Sequence, residues 1–428
     1  MNRKYTLLSI ICLLLIGMGC YYYLTGKPAF KGHKVVVCIP VYGQSLALGE
    51  EAIRVTDFAD LKNDFGGRIL TENLDYRFGY FDHDNMKKAF KKLIHYQKRS
   101  FELTVYGMAE SLAKELGNDT LICIFPGGQG TTMLADMSKG SAAYEHFIAD
   151  LKTAYDNAQQ RGWDFYVPAI CWMQGESDIA EYPKTNYQEL LKKFYTDVNQ
   201  DVKSITHQKT DTKFISYQTN AVSRAKKFNA LAYICEESKV PEAQMELVRD
   251  DTLFWASGPT YQYSFAREAI HIDGISQKRH GYLVAESALK IIRGGSRFQG
   301  LVPTGYDVDN NNLAIHFNVP FPPLVIDTIL VKKANNYGFD VITPDNESIV
   351  SAVSLENDTI IIRCKQSPIG CKIRYAINGE PMKSGFEKGP RGNLRDSKEA
   401  IETPVIAGKQ YPAYNWCFQF DFVCTPNK

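Results

Sequence analysis

Four short polar segments, each punctuated by glycine, carry side chains of the types that acyl transfer requires. They are Gly43-Gln44-Ser45, Pro126-Gly127-Gly128-Gln129-Gly130-Thr131-Thr132, Trp172-Met173-Gln174-Gly175-Glu176-Ser177-Asp178 and Glu268-Ala269-Ile270-His271-Ile272-Asp273-Gly274. The chemistry needs a nucleophile, a base to take its proton, a group to orient that base, and donors for the developing oxyanion. Ser45 can be the nucleophile, with Gly43 allowing a sharp turn out of a strand. His271 can be the base, and Glu268, three residues upstream, can reach its other ring nitrogen. The backbone amides of Ser45 and Gly130, with the side-chain amide of Gln174, can form the oxyanion hole.

Each segment alone is a weak signal. A serine after a strand is usually a turn or helix-cap residue. A glycine-rich loop can cradle phosphate, but the Walker lysine is absent and no GxGxxG is formed. Trp172 reads first as a core residue, and His271 has seven rivals in His33, His83, His95, His146, His207, His280 and His316. Asp82-His83-Asp84 reads as a solvated loop before it reads as a metal site. No CxxC or histidine-rich spacing suggests zinc, so the constellation calls for no metal and no cofactor. The case rests on the order of all four segments along the chain.

Short apolar runs alternate with amphipathic stretches from Lys34 to about Arg293. The expected strands are Lys34–Val41, Thr120–Phe125, Phe165–Trp172, Lys213–Tyr217 and Thr252–Trp255. These are continuous apolar runs, as parallel strands buried on both faces require. Helical patterns lie between and after them, among them Val105–Leu116, Ala142–Gln160 and Gln277–Ile292. The alternation predicts an α/β fold, a three-layer α/β/α sandwich on a parallel sheet of flavodoxin-like type. Ligands of such sheets bind beyond the carboxyl ends of the strands, where the four segments fall.

After Gly294-Gly295 the pattern changes to short alternating runs such as Leu313–Val319, Val325–Val331 and Thr359–Cys364. This predicts an all-β C-terminal accessory domain, a sandwich. The expected division is an N-terminal segment over 1–25, a catalytic unit over 26–297 and the β unit over 298–428. In the last, Gly389–Ser397 with Tyr414-Asn415-Trp416 is polar and aromatic enough to touch sugar, and reads equally well as a loop packed against the first unit.

With 428 residues the chain is long enough for two cores, and 44% hydrophobic residues supply them. Its 49 basic and 48 acidic residues leave a formal charge of +1 without a basic stripe, which argues against nucleic acid as a partner. Asn2-Arg3-Lys4 followed by the apolar run Tyr5 to Cys20 reads as an export signal. Extended through Tyr21-Tyr22-Tyr23-Leu24 it is long enough to stay as a membrane anchor; alternatively, Gly17-Met18-Gly19-Cys20 is similar to a bacterial lipobox. The expected location is periplasmic or cell-surface, with membrane contact only through this N-terminal segment. Of the ten cysteines, Cys38, Cys123 and Cys171 fall in core strands and act as small hydrophobes. Cys364 with Cys371 and Cys417 with Cys424 are close enough in sequence for local disulfides in an oxidising compartment.

The four segments resemble the blocks of the SGNH hydrolase superfamily, most closely its sialate O-acetylesterase-like (carbohydrate esterase family 6) branch. Gly43-Gln44-Ser45 matches the nucleophile block and Gly128-Gln129-Gly130-Thr131-Thr132 is similar to the glycine block. Trp172 to Asp178 (WMQGESD) matches the WxQGExD motif, and Glu268 to His271 with its trailing helix resembles the terminal acid–histidine block. The resemblance covers roughly Val36 to Ala288. It implies Ser45 as nucleophile, His271 as base and the acid three residues before it as orienter. That acid is Glu268 here rather than the family's aspartate, which makes Asp273 a fallback. It implies Ser45, Gly130 and Gln174 as oxyanion donors, with Gly128 the alternative to Gly130 and Gln44 flanking the nucleophile. Glu176 and Asp178 would brace their loop. The expected substrate is an O-acetylated glycan. The alternatives are a lipid or aryl esterase on the same scaffold and a non-catalytic glycan-binding protein.

Overall fold

The computed structural model describes residues 34–57, 65, 67–70, 101–180, 186–219, 239–266, 270–380, 383, 385–398 and 404–426. The export segment with its anchor or lipobox, the Asp82-His83-Asp84 run and Glu268 lie outside the described residues.

The α/β architecture read from the sequence is the observed one. In chain order its elements are β1 Val35–Cys38, β2 Val41–Gly43, β3 Ile69–Leu70, α1 Thr104–Glu115, β4 Thr120–Cys123, β5 Pro126–Gly128, α2 Ala142–Gln160, β6 Asp164–Tyr166, β7 Ala169–Met173, α3 Glu176–Ala180, α4 Tyr187–Thr206, β8 Lys213–Gln218, α5 Val240–Asp250, β9 Phe254–Pro259 and α6 Gly274–Ile292. All the strands pair in parallel, in the orders β3-β4-β1-β6 and β5-β2-β7-β8-β9. The two sets are one surface. Pro40 has no N–H to give, yet the ladder continues across it: Ile39 N–H donates to Cys123 O at 2.9 Å, Val41 N–H to Phe125 O at 3.0 Å and Cys171 N–H to Pro40 O at 2.9 Å. The pairing offset to the strand on one side is the same before and after the proline, as Cys38↔Cys123 and Val41↔Pro126 show.

The first strand therefore lies between the strands formed by residues 120–128 and 164–173. The chain leaves it in one direction across the sheet and later crosses back to its other side, and at such a reversal the loops part and leave a crevice. The loop carrying Ser45 opens there. Rings fill the face of the sheet that α4 covers: Trp172 lies 5.0 Å from Phe194 on α4 and 6.1 Å from Tyr42, its register partner, centroid to centroid. Helix α6 begins three residues before the apolar pattern predicts, because Asp273 accepts from Ser276 N–H at 2.8 Å and caps it. Its Gly281 comes so close to α1 that a Cβ there would lie 2.1 Å from Thr104 O.

From β10 (Val302–Asp309) onward the chain is all β apart from one short 3₁₀ turn, among the described residues. Strands β10 and β11 (Asn312–Asn318), with two more at Val350–Glu356 and Thr359–Cys364, make an antiparallel four-stranded sheet. A second, three-stranded antiparallel sheet is formed by Phe339–Ile342, Lys372–Tyr375 and Phe420–Val423. This part is fastened to the parallel sheet by buried hydrogen bonds. Gln218, the last residue of β8, donates to Gln419 O at 2.8 Å and accepts from Gln419 N–H at 2.6 Å. Tyr261 donates to Cys417 O at 2.7 Å.

Cys364, Cys371, Cys417 and Cys424 are buried free thiols, so neither local disulfide is formed. The stretch read as a sugar contact is packed inward. Trp416 is 2% exposed with its ring 6.4 Å from that of Tyr261, Asn415 donates to Asp396 at 2.8 Å, and Arg395 pairs with Asp327 at 2.7 Å. The side chains that sugar would need are engaged within the fold.

Candidate active site

At the end of β2 the backbone must pass between two neighbours at close range. A Cβ on Gly43 would lie 2.0 Å from Met173 O, and one on Gly128 would lie 1.8 Å from Gly43 O. Gly128 also holds φ at +112°, a conformation open to glycine. The nucleophile, glycine and WMQGESD blocks are thus brought side by side through bare backbone. Gln44 then ties them together: its N–H donates to Met173 O at 3.0 Å, and its side-chain oxygen accepts from Gly175 N–H and Ser177 N–H, each at 3.3 Å.

Ser45 follows, 4% exposed, with its Oγ 2.8 Å from Nε2 of His271. His271 sits where the chain turns from β9 into α6. Ala266 N–H donates to His271 O at 2.8 Å and Asp273 N–H to Ser264 O at 3.0 Å, which pins the segment at the histidine and two residues beyond it. Gln277, one turn into α6, donates to Leu46 O at 2.8 Å and locks the helix onto the nucleophile loop.

The carboxylate found against His271 is Glu51, which the sequence reading did not single out; Glu268 lies outside the described residues. Nδ1 of His271 lies 3.2 Å from Oε2 of Glu51. Glu51 is six residues after the nucleophile, in the same loop. After Ser45 the chain makes a single turn, with Leu48 N–H on Gln44 O at 3.2 Å and Glu50 N–H on Ser45 O at 2.9 Å. Glu51 itself has φ of +64°, a left-handed conformation that costs a β-carbon-bearing residue energy. Asp273 is unavailable as an orienter because its carboxylate caps α6. The signal for Glu51 was slight: Gly49 followed by two glutamates in the loop that leaves the serine. Its neighbour Glu50 has its carboxyl raised by burial and, to a lesser degree, by Glu51, while His271 draws it the other way.

Two expected oxyanion donors are free to act. Among the described residues no protein acceptor takes the amide of Ser45 or of Gly130. Gly128 reaches the same loop through the positive-φ backbone that glycine permits. Gln174 differs from the expectation: it is fully buried and its Nε2 donates to Asp178 Oδ2 at 2.5 Å and to Thr132 O at 3.2 Å, which takes up both of its hydrogens. Asp178 also accepts from Leu134 N–H at 2.9 Å, so this pair links the glycine and WMQGESD loops. Glu176 turns away from His271; one oxygen accepts from Thr219 Oγ1 at 2.6 Å and from the Tyr217 hydroxyl.

Residues 80–290 match the family model described as carbohydrate esterase, sialic acid-specific acetylesterase. The matched span contains His271 and the WMQGESD block and begins after Ser45 and Glu51. No protein of curated function matches the chain. Among solved structures, the carbohydrate acetylesterase XAC1771 from Xanthomonas citri is similar over 91% of this chain and 80% of its own, with a TM-score of 0.56 and 14% identity, which shows the shared fold. A protein from Arabidopsis thaliana aligns over 60% of this chain and 99% of its own (TM-score 0.42, 17% identity). NanS aligns over 62% of this chain and 100% of its own (TM-score 0.42, 11% identity). The chain carries an SGNH-type domain of the sialate O-acetylesterase-like branch, that of a carbohydrate O-acetylesterase.

Proposed function

We propose that this carbohydrate esterase is exported and removes O-acetyl groups from glycans through a triad of Ser45, His271 and Glu51 and an acetyl-enzyme. The observation that carries the reading is the unbroken line from Ser45 Oγ to His271 Nε2 at 2.8 Å and from His271 Nδ1 to Glu51 at 3.2 Å. Ser45 attacks the acetyl carbonyl as Nε2 takes its proton, and Glu51 accepts from Nδ1–H and so holds the tautomer that leaves Nε2 basic. The amides of Ser45 and Gly130 receive the oxyanion. The sugar hydroxyl leaves with the proton from Nε2, and water repeats the cycle on the acetyl-enzyme. Export is supported by the basic and apolar leader from Asn2 to Cys20.

The test is acetate release from a panel of O-acetylated glycans, wild type against Ser45→Ala. The triad reading expects a loss of roughly 10⁴-fold or more in the variant. Equal release by both proteins would overturn it. Turnover of long-chain esters with no acetate from any glycan would move the substrate to lipid.

A further inference from the structure

Glu102, two residues before the start of α1, is a carboxylate buried to 0% exposure and remote in sequence from every catalytic segment. One of its oxygens, Oε2, accepts from two consecutive amides, Val55 N–H and Thr56 N–H, each at 2.8 Å. The other, Oε1, accepts from the Thr56 hydroxyl at 2.6 Å. Its own N–H donates to Ala52 O at 2.9 Å. A single residue thus grips the loop at both ends of the stretch 52–56, directly after Glu51. The loop is hemmed in on two further sides. The carbonyl oxygen of Glu102 lies where a Cβ on Gly49 would be, at 2.2 Å, and the carbonyl of Ile53 lies 1.8 Å from where a Cβ on Gly274, at the start of α6, would stand.

Two features make this more than a local contact. Glu51 is held at a left-handed φ that an unrestrained loop would relax, so its surroundings must impose it. And a carboxylate is the side chain of this size that accepts at both oxygens and donates at neither. Glutamine in the same place would turn an NH₂ group toward a donor. Burial raises the Glu102 carboxyl, which its three hydrogen bonds and Lys278 only partly oppose. A costly charge is thus kept where only an acceptor pair fits the loop.

We infer that Glu102 is a positioning residue that sets the Glu51 carboxylate against His271 by clamping residues 52–56. The inference rests on the triad reading above. It is tested with 4-nitrophenyl acetate as probe, measuring kcat and KM for the wild type, Glu51→Gln, Glu102→Gln and the double variant, with thermal unfolding of each. Glu102→Gln is expected to lower kcat about 10- to 100-fold with KM changed by less than about threefold. In the Glu51→Gln background it should cost less than about threefold more, since residues acting through one another are not additive. Thr56→Val, which removes one hydroxyl contact and leaves the carboxylate in place, should lower kcat several-fold in the wild type and not at all in Glu51→Gln. It gives the same answer should Glu102→Gln fail to fold. Losses that multiply in the double variants, or an unchanged kcat in both Glu102→Gln and Thr56→Val, would overturn the inference alone. An unchanged kcat in Glu51→Gln would overturn the triad reading itself.

Discussion

Two carboxylates near His271, Glu51 in space and Asp273 in sequence, do different work. Glu51 faces Nδ1, whereas Asp273 caps α6. Glu51→Gln should therefore lower kcat by up to roughly 10⁴-fold, as loss of an orienting acid leaves the wrong tautomer, while the melting temperature stays near that of the wild type. Asp273→Ala should do the reverse, costing about 1 kcal/mol of stability through the lost cap and less than tenfold in kcat. Steady-state kinetics and thermal melts on the two variants separate the roles, and a larger kinetic loss in Asp273→Ala would reverse the assignment. Gln174 makes a similar point about polar residues in a catalytic motif. Its amide spends both hydrogens on Asp178 and Thr132, so it shapes the loop that presents Gly130.

The site depends on strands and loops approaching closer than side chains allow. Gly128 both takes positive φ and leaves room for Gly43 O, so Gly128→Ala must move either β5 or β2. The expected cost is about 2 kcal/mol or more from strain and overlap together, with activity down more than tenfold because the Gly130 amide moves too. Gly162 is the control. It also has positive φ, at +69°, but a Cβ there meets nothing within 4 Å. Gly162→Ala should cost only about 1 kcal/mol and leave acetate release intact. Equal kinetic effects in the two would mean that the close approach at Gly128 does not shape the site. Helix α6 is the second positioning element. Its cap, its contact with α1 at Gly281 and the bond from Gln277 to Leu46 together fix where His271 meets the serine.

Across the whole molecule, a buried histidine on α6 sets an acid limit. His280 is fully enclosed, 3.2 Å from Ser257 Oγ and 3.4 Å from the Tyr263 hydroxyl, and burial holds its imidazole down at about 3 against 6.5 in a free chain. Below pH 6.5 the unfolded chain takes up a proton that the folded one refuses until about pH 3. Stability from this group is thus present above pH 6.5 and lost as pH falls through that window, by at most about 1.4 kcal/mol per pH unit. His280→Gln should flatten the dependence of urea-unfolding free energy on pH between 4 and 6.5. An unchanged slope would mean that other groups set it. The C-terminal β region enters at this scale through the reciprocal bonds of Gln218 and Gln419, buried and without water to replace them.

The chain's pattern alone determined the parallel α/β class and the all-β character after Gly294-Gly295, and it put Ser45 and His271 on segments that could meet. Buried parallel strands need unbroken apolar runs, and chemistry at their carboxyl ends leaves glycine and polar residues in order behind them. These are local signals, each written in a few consecutive residues. Only the tertiary structure decided which acid faces the histidine and which amide is free for the oxyanion. Glu51 meets His271 across 220 residues of chain, and Gln174 loses its donor to Asp178 one helical turn away. Neither could be read from spacing, because a side chain's partner is set by the close approach of backbones such as Gly43 and Gly128. Glu102 belongs with them, since nothing in its own neighbourhood marks a carboxylate whose hydrogen bonds lie 46 and 47 residues upstream.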